Sequence, residues 1–242
     1  MKRFVREALQ RLGVDVRLTR SYHIDAFGDQ VKLLRDRPVE TVFDVGAYNG
    51  HSAARYRKLF PAARVYAFEP FEASYNDLAA VAASSGGMIL PFRAALGAEA
   101  GTANLHVNES AQSNSMLAND PDQTKIFDIP EMRPIAEAPV DVVTLDGFCD
   151  ENRISRIDLL KMDIQGFELQ ALRGGQRLLE RRAVRLIFCE VNFAPLYHGQ
   201  AFYHDVAAYL ADFGYELYGL YSMYRIHTGA LGWADAIFRS PS

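Results

Sequence analysis

From residue 40 onward the sequence alternates short, nearly unbroken apolar runs with stretches of helical periodicity, and few folds tolerate that alternation. Residues 41–45, 64–68 and 88–92 read as buried strands, and 52–60 and 71–83 as helices. Further on, 140–145, 157–162 and 184–189 read as strands, the second interrupted only by Asp158 and Lys161, with 167–179 helical between the last two. A helix at 202–213 and strands at 215–221 and 233–238 complete the chain. Apolar strands separated by helices belong to a mostly parallel sheet covered on both faces, so the expected class is α/β and Rossmann-like. The stretch 97–107 reads as a turn followed by an extended segment. Residues 108–139 carry Pro121, Pro130, Pro134 and Pro139 and lose periodicity. A connection of that length is expected to be functional or mobile, a lid with Phe127 or Met132 as its apolar contact.

Composition narrows the class of protein. With 242 residues, 49% apolar and 23% charged, the chain can bury one large core without disulfides or structural metals. A net charge of −4 argues against a surface built for nucleic acid. The two cysteines, Cys149 and Cys189, sit in separate apolar stretches, as suits a reducing compartment. No window approaches the roughly 20 apolar residues of a membrane span. The start MKRFVREALQ places charges where a signal peptide has its apolar core, so a cytoplasmic location is expected. Within residues 1–20, Val5, Ala8, Leu9 and Leu12 share one helical face among six Lys and Arg. That pattern predicts a helix capping the domain, with weak peripheral membrane contact as the alternative. The expected division is a helical extension over 1–39 and the main domain over 40–242.

In a doubly wound sheet, ligands bind beyond the carboxyl ends of the strands. After the first strand comes Asp44-Val45-Gly46-Ala47-Tyr48-Asn49-Gly50, a glycine turn entering a helix, and after the second comes Glu69-Pro70. A carboxylate at that second position suits ribose hydroxyls, so a nucleoside ligand is inferred. Tyr48 occupies the place where a pyrophosphate-binding turn needs its second glycine. Asp44 adds a negative charge that would repel phosphate and attract a sulfonium. S-adenosylmethionine is therefore favoured over NAD.

Three segments carry a resemblance to a known family. They are FDVGAYNGHSAARYRKLFPAARVYAFEPF at 43–71, FRAALGAEAGTANL at 92–105 and VDVVTLDGFCDENRISRIDLLKMDIQGFELQALRGG at 140–175. The chain resembles the FkbM family of S-adenosylmethionine-dependent methyltransferases, most distinctively in T-L-D followed by I-D-L-L-K-x-D-x-Q-G-x-E. The resemblance covers about 40 to 240 and implies a class I methyltransferase sheet of seven strands with the last antiparallel. It implies that Asp44, Gly46, Ala47 and Gly50 line the methionine portion of the cofactor, that Glu69 holds the ribose, and that Pro70 and Phe71 flank the adenine. The family often has asparagine at the position of Tyr48, whereas here Asn49 stands beside it; both are placed at the cofactor. A serine pair of the family corresponds loosely to Ser113-Asn114-Ser115, which adds Ser115.

The acceptor side rests on residues after later strands. Asp163 and Glu190 follow the strands at 157–162 and 184–189 and should face one cleft, where either could orient an acceptor or take its proton. His198, in the next connection, is a further candidate base. Glu168, one turn into its helix, is explained by capping. Tyr197, Tyr203, Tyr218, Tyr221 and Tyr224 could shape an acceptor pocket. A divalent metal held by Asp163, Glu190 and Asn192 is possible in principle, but no spacing specifies it. The expected activity is methyl transfer to a hydroxyl of a glycan or small secondary metabolite. Two alternatives are a catalytically silent S-adenosyl-binding partner in a glycan-assembly complex and an NAD-dependent oxidoreductase.

Overall fold

A computed structural model describes residues 25–120, 122, 132–226 and 229–240. In chain order the elements are α1 (Ala26–Leu33), β1 (Thr41–Val45), α2 (His51–Leu59), β2 (Arg64–Phe68), α3 (Glu72–Ala83), β3 (Ile89–Phe92), β4 (Ala95–Leu96) and β5 (Gly101–Asn108). A 3₁₀ turn at Ala111–Ser113 follows, then β6 (Pro134–Val143), α4 (Leu145–Glu151), β7 (Ile157–Met162), α5 (Glu168–Arg173) and α6 (Gln176–Glu180). The chain ends with β8 (Val184–Asn192), α7 (Tyr203–Asp212), β9 (Glu216–Arg225) and β10 (Leu231–Arg239).

Seven strands form one sheet in the order β3-β2-β1-β7-β8-β10-β9. The first five pair in parallel, and β10 runs antiparallel to both β8 and β9. Each face has its own core. Phe43, Phe68, Phe148, Leu172 and Leu210 pack on the side of α4–α7, while Val42, Tyr56, Leu78, Leu159 and Phe188 pack on the side of α1–α3. Burial on both faces is why β1 and β7 lack hydrophobic alternation.

The two charges inside β7 have separate partners. Asp158 Oδ2 accepts from the amides of Glu40 (2.8 Å) and Thr41 (3.1 Å), and Oδ1 from Arg185 (3.0 Å) and Arg156 (3.3 Å). Burial pushes that carboxyl up, yet these donors hold it below its usual range. Asp158 thus ties the leading ends of β1, β7 and β8 together, at the opposite end of the sheet from Lys161.

Several segments differ from the sequence expectation. Residues 134–139, expected to be irregular, belong to β6, which pairs antiparallel with β5 and parallel with β4 in a separate three-stranded sheet. Because β4 reaches only Val142 and Val143, the β6 edge at Pro134 and Pro139 has no second partner strand among the described residues, and proline is tolerated on such an edge. The strand expected through residue 145 stops at Val143. Thr144 then caps α4, its hydroxyl accepting from Gly147 N at 3.0 Å. The helix expected over 167–179 is split at Gly174-Gly175, where a Cβ on Gly174 would lie 2.1 Å from the carbonyl oxygen of Gly97.

The described part of the N-terminal extension joins the main core. Asp25 caps α1, Ala26 and Leu34 pack with Val42 and Phe188, and the Tyr221 hydroxyl donates to Asp29 at 2.8 Å. The basic stretch at 1–20 and Phe127 lie outside the described residues.

Candidate functional site

A cavity of about 520 Å³ opens beyond the carboxyl ends of β1, β2, β7, β8 and the paired face of β10. That is the size of an ordinary small-molecule site. It is lined by Gly46, Ala47, Tyr48 and Asn49 from the first turn, Glu69 and Pro70 from the second, and Ala94 to Leu96 beside β4. Asp163, Ile164 and Gln165 follow β7, and Glu190 and Asp235 come from β8 and β10.

The first turn is shaped by a close approach. Gly46 has φ +72°, its amide donates to the Phe68 carbonyl at 3.0 Å, and a Cβ there would lie 2.0 Å from the carbonyl oxygen of Asp163. Only glycine fits. Two residues on, Tyr48 is left-handed at φ +48° and its amide donates to Glu69 Oε2 at 2.9 Å. The other oxygen of Glu69 accepts from the Phe71 amide at 2.9 Å. The amide that a pyrophosphate would need is thus already engaged by a carboxylate, which agrees with the reading of this turn as unsuited to NAD. Each Glu69 oxygen keeps lone-pair capacity for a further donor. Burial first, and the Asp44 charge in addition, push Glu69 up to about 7 against those amides and Lys161.

Asp44 departs from the expectation that it lines the ligand and attracts a cation. It is fully buried behind the turn, its Oδ1 lies 3.1 Å from Lys161 Nζ, and its Oδ2 accepts from the Ser52 hydroxyl at 2.6 Å. Lys161 also donates to the carbonyls of Gly46 (2.7 Å) and Val45 (3.3 Å). Burial pulls its ammonium pKa down, but Asp44, Asp163 and Glu69 more than offset that and the net shift is upward. The pair ties β1 to β7 and, through the two carbonyls, holds the turn in place. Gly50 caps α2, and Phe71 caps α3 and packs against the small sheet; neither lines the cavity. Ser115 does line it, with its hydroxyl donating to the Gln165 carbonyl at 2.8 Å and accepting from Leu117 N at 3.0 Å.

At the other end three carboxyl groups converge. Asp163 is exposed, Glu190 is partly covered, and Asp235 lies directly opposite Glu190 in the β8–β10 pairing. Burial, then Asp163, Glu168 and Asp235, push Glu190 well above the usual carboxyl range, with Lys161 opposing. Burial also raises Asp235, with a contribution from Asp163. Lys161, which opposes both shifts, pairs with Asp44. Glu168 sits behind the loop, accepting from Ile164 N at 2.9 Å, and burial pushes it up to about 7.

Other expected residues stand apart. His198 is 61% exposed with Nδ1 3.9 Å from Asp120, and it is not among the residues lining the cavity. The five tyrosines do not line it either: Tyr203 stacks on Phe193, Tyr224 on Trp233, and Tyr221 anchors α1. Met132 is buried against Leu196 and Tyr197 rather than facing a ligand. Asn192 is buried outside the cavity lining, and among the described residues no group of three or more His, Cys, Asp or Glu is placed to hold a metal ion. Both cysteines are buried free thiols. No described helix is long and apolar enough to cross a membrane.

The reading of the sequence missed Asp235, Gln165, Phe27 and Phe188 as cavity residues. Asp235 had a signal, a lone carboxyl in the apolar run Trp-Ala-Asp-Ala-Ile-Phe. Phe27 had none, because α1 reaches the cavity only through tertiary packing.

Comparison with known proteins decides the family. A model described as the methyltransferase FkbM domain matches residues 44–217, well over half the chain. The protein belongs to the FkbM methyltransferase family. It is an S-adenosylmethionine-dependent methyltransferase. Among curated proteins it is similar to the 2-O-methyltransferase NoeI of Sinorhizobium fredii, with 28% identity over 181 residues covering 71% of each chain. Among solved structures it is similar to the METTL16 methyltransferase domain, at 9% identity and a TM-score of 0.50 over 98% of this chain and 77% of that one. It is also similar to a Burkholderia thailandensis 1,6-didemethyltoxoflavin-N1-methyltransferase, at 14% identity and a TM-score of 0.48 over 100% of this chain and 87% of that one. The FkbM fold of the chain is the seven-strand, mostly parallel sheet described above.

Proposed function

We propose that this methyltransferase acts on oxygen, moving a methyl group to a hydroxyl of an uncharged glycan or small metabolite. One observation carries the reading: the cavity end away from Glu69 is walled by Asp163, Glu190 and Asp235, while the one lysine in the lining is committed to Asp44. Such a wall exchanges hydrogen bonds with hydroxyls and offers no uncommitted lysine or arginine to a phosphate or carboxylate acceptor. The 2-O-methyltransferase activity in the name of the similar NoeI supports an oxygen acceptor.

The residues present fit S-adenosylmethionine. Glu69 has lone pairs left for ribose hydroxyls, Pro70 and Ala94 to Leu96 offer an apolar wall for a base, and the turn at Gly46 to Asn49 lines the same end of the cavity. The bound cofactor would supply an electrophilic methyl group on a sulfonium. The protein's part is to hold an acceptor oxygen in line with that methyl group and keep water away. A carboxylate at that end would take the hydroxyl proton as the acceptor oxygen gains the methyl group and S-adenosylhomocysteine leaves. Glu190 and Asp163 fill that role best: burial raises the Glu190 carboxyl, which makes it a better base at physiological pH, and Asp163 is exposed in the same lining. The products are a methyl ether and S-adenosylhomocysteine.

Calorimetric titration with S-adenosylmethionine, S-adenosylhomocysteine and NADH, followed by labelled-methyl transfer to methyl β-glucopyranoside and to glucose 1-phosphate, tests the reading. Binding of both S-adenosyl compounds, with label passing to the neutral glycoside in preference to the phosphate, is the expected result. Preference for the phosphate, or no S-adenosyl binding by folded protein, would overturn it. Asp163→Asn should lower turnover at least tenfold while the S-adenosylhomocysteine dissociation constant changes little, since losing a general base typically costs about 10²–10⁴ in rate.

A further inference from the structure

Between the two carboxyls nearest the proposed chemistry stands a neutral side chain whose backbone is strained. Gln165 has φ +56°, a left-handed conformation that brings a Cβ too close to the neighbouring backbone. Gly166 follows at φ +91°, the Ser115 hydroxyl holds the Gln165 carbonyl at 2.8 Å, and the Glu168 carboxyl holds the Ile164 amide at 2.9 Å. A glycine at 165 would relieve the strain and keep those main-chain bonds. What glycine would remove is the side chain, and that side chain lines the cavity.

Its contacts fix its orientation. Nε2 donates to Asp163 Oδ1 at 2.9 Å and, more weakly, to Glu190 Oε1 at 3.5 Å, while Oε1 accepts from the Tyr197 hydroxyl at 2.8 Å. Turning the amide over would set oxygen against two carboxyls, so only this orientation is satisfied. Tyr197 is itself buried, with its hydroxyl also 3.2 Å from the Ser113 carbonyl. The amide is therefore anchored on the protein side and directs its two N–H groups at carboxyls that come from different strands.

We propose that Gln165 is a positioning residue of the acceptor end, tying Asp163 after β7 and Glu190 of β8 into one hydrogen-bonded carboxyl pair that receives the acceptor hydroxyl. What the pair does rests on the O-methyl reading above; that Gln165 couples its members does not. The groups facing the pair are Asp235 from β10, Lys161 from β7, Glu168 from α5 and Tyr197 from the connection after β8. The coupling predicts that the two carboxyls titrate as a pair and that removing the amide donor makes proton binding tighter, because donated N–H bonds favour the ionised form.

The test is a pH titration of the full chain labelled with carboxyl-¹³C Asp and Glu, without cofactor or acceptor, the resonances being assigned from Asp163→Asn and Glu190→Gln. In Gln165→Leu and Gln165→Gly the lower midpoint of the pair should rise by about one pH unit, a tenfold change in proton affinity. Tyr197→Phe, which leaves the amide but frees it, should move the midpoint the same way by less. Gln165→Gly should unfold at no lower denaturant concentration than the native protein, which a merely structural glutamine would not allow. A midpoint unchanged in either folded variant overturns the proposal. So does a loss of stability in Gln165→Gly with no change in titration. Because no methyl acceptor is involved, either failure is distinct from a failure of methyl transfer.

Discussion

The two ends of the cavity are built in different ways. The end at Gly46 and Glu69 is made by two strand-to-helix turns close in sequence, and its donors are main-chain amides: Tyr48 N and Phe71 N to the Glu69 carboxylate, Gly46 N and Ala47 N to the Phe68 carbonyl. The other end is assembled from side chains that the sheet order alone brings together, with Asp163 after β7, Glu190 on β8 and Asp235 on β10. Backbone geometry leaves little freedom at the first end, since a single added Cβ at Gly46 collides with main chain. At the second end the carboxyls could be exchanged for other groups without disturbing the fold. On the function proposed above, the shared chemistry falls to the rigid end and acceptor selection to the exchangeable one, as expected where function is grafted onto a common scaffold.

The largest effect should come from breaking the rigid end. Gly46→Ala places a methyl 2.0 Å from the Asp163 carbonyl oxygen and puts alanine at φ +72°, so the turn must move. Overpacking and left-handed strain together should cost about 2–5 kcal/mol of stability. Urea titration checks it. A variant as stable as the native protein would mean that the turn is as adaptable as the carboxyl end, and the contrast would fail.

That contrast also explains how much was legible in the sequence. Strands β1, β2 and β7 and the glycine turn were readable because each is a local pattern: a buried run, then glycine, then a helix. Asp163 and Glu190 were readable as strand-end carboxyls. The engagement of Lys161 by Asp44 was not, because nothing local says that Lys161 faces Asp44 on the neighbouring strand. The small sheet was missed for a similar reason. Pro134 and Pro139 are breakers in a central strand but neutral on an open edge, and only the length of β4 reveals which edge is open. His198 and the tyrosines looked functional from their place in the chain, and tertiary packing turned them elsewhere.

A moderate effect should sharpen the role of Glu69. Glu69→Gln should weaken S-adenosylhomocysteine binding by about 1–3 kcal/mol, roughly 5–150-fold, if the carboxylate accepts from the ribose hydroxyls. The pH dependence has a definite sign. Burial raises this carboxyl to about 7, and accepting two hydroxyl donors needs the ionised form, so affinity should fall as pH drops through 7. Between pH 8 and 6 the native dissociation constant should rise about tenfold, one pH unit of protonation being about 1.4 kcal/mol. Calorimetry at both pH values, with Glu69→Gln insensitive to pH, is the check. A native affinity flat across that range would place the ribose away from Glu69.

The smallest effect on the cofactor is expected at Asp235, and there the sign of the stability change matters more than its size. Asp235→Asn should alter S-adenosylhomocysteine affinity by less than about twofold, as for a residue away from the ligand it is tested against. Burial raises the folded-state pKa of Asp235 above that of the unfolded chain. Such a group adds nothing below the unfolded pKa, where both states are protonated. As pH rises above it, the unfolded state ionises more readily, so the carboxyl costs stability. Asp235→Asn should therefore match the native protein in urea at pH 4 and exceed it at pH 8. A residue whose removal stabilises the fold is retained for something other than the fold. Asp235 also hydrogen-bonds the Ser222 side chain; were the variant less stable at pH 8, that bond would be its role, and the exchangeable end would shrink to Asp163, Gln165 and Glu190.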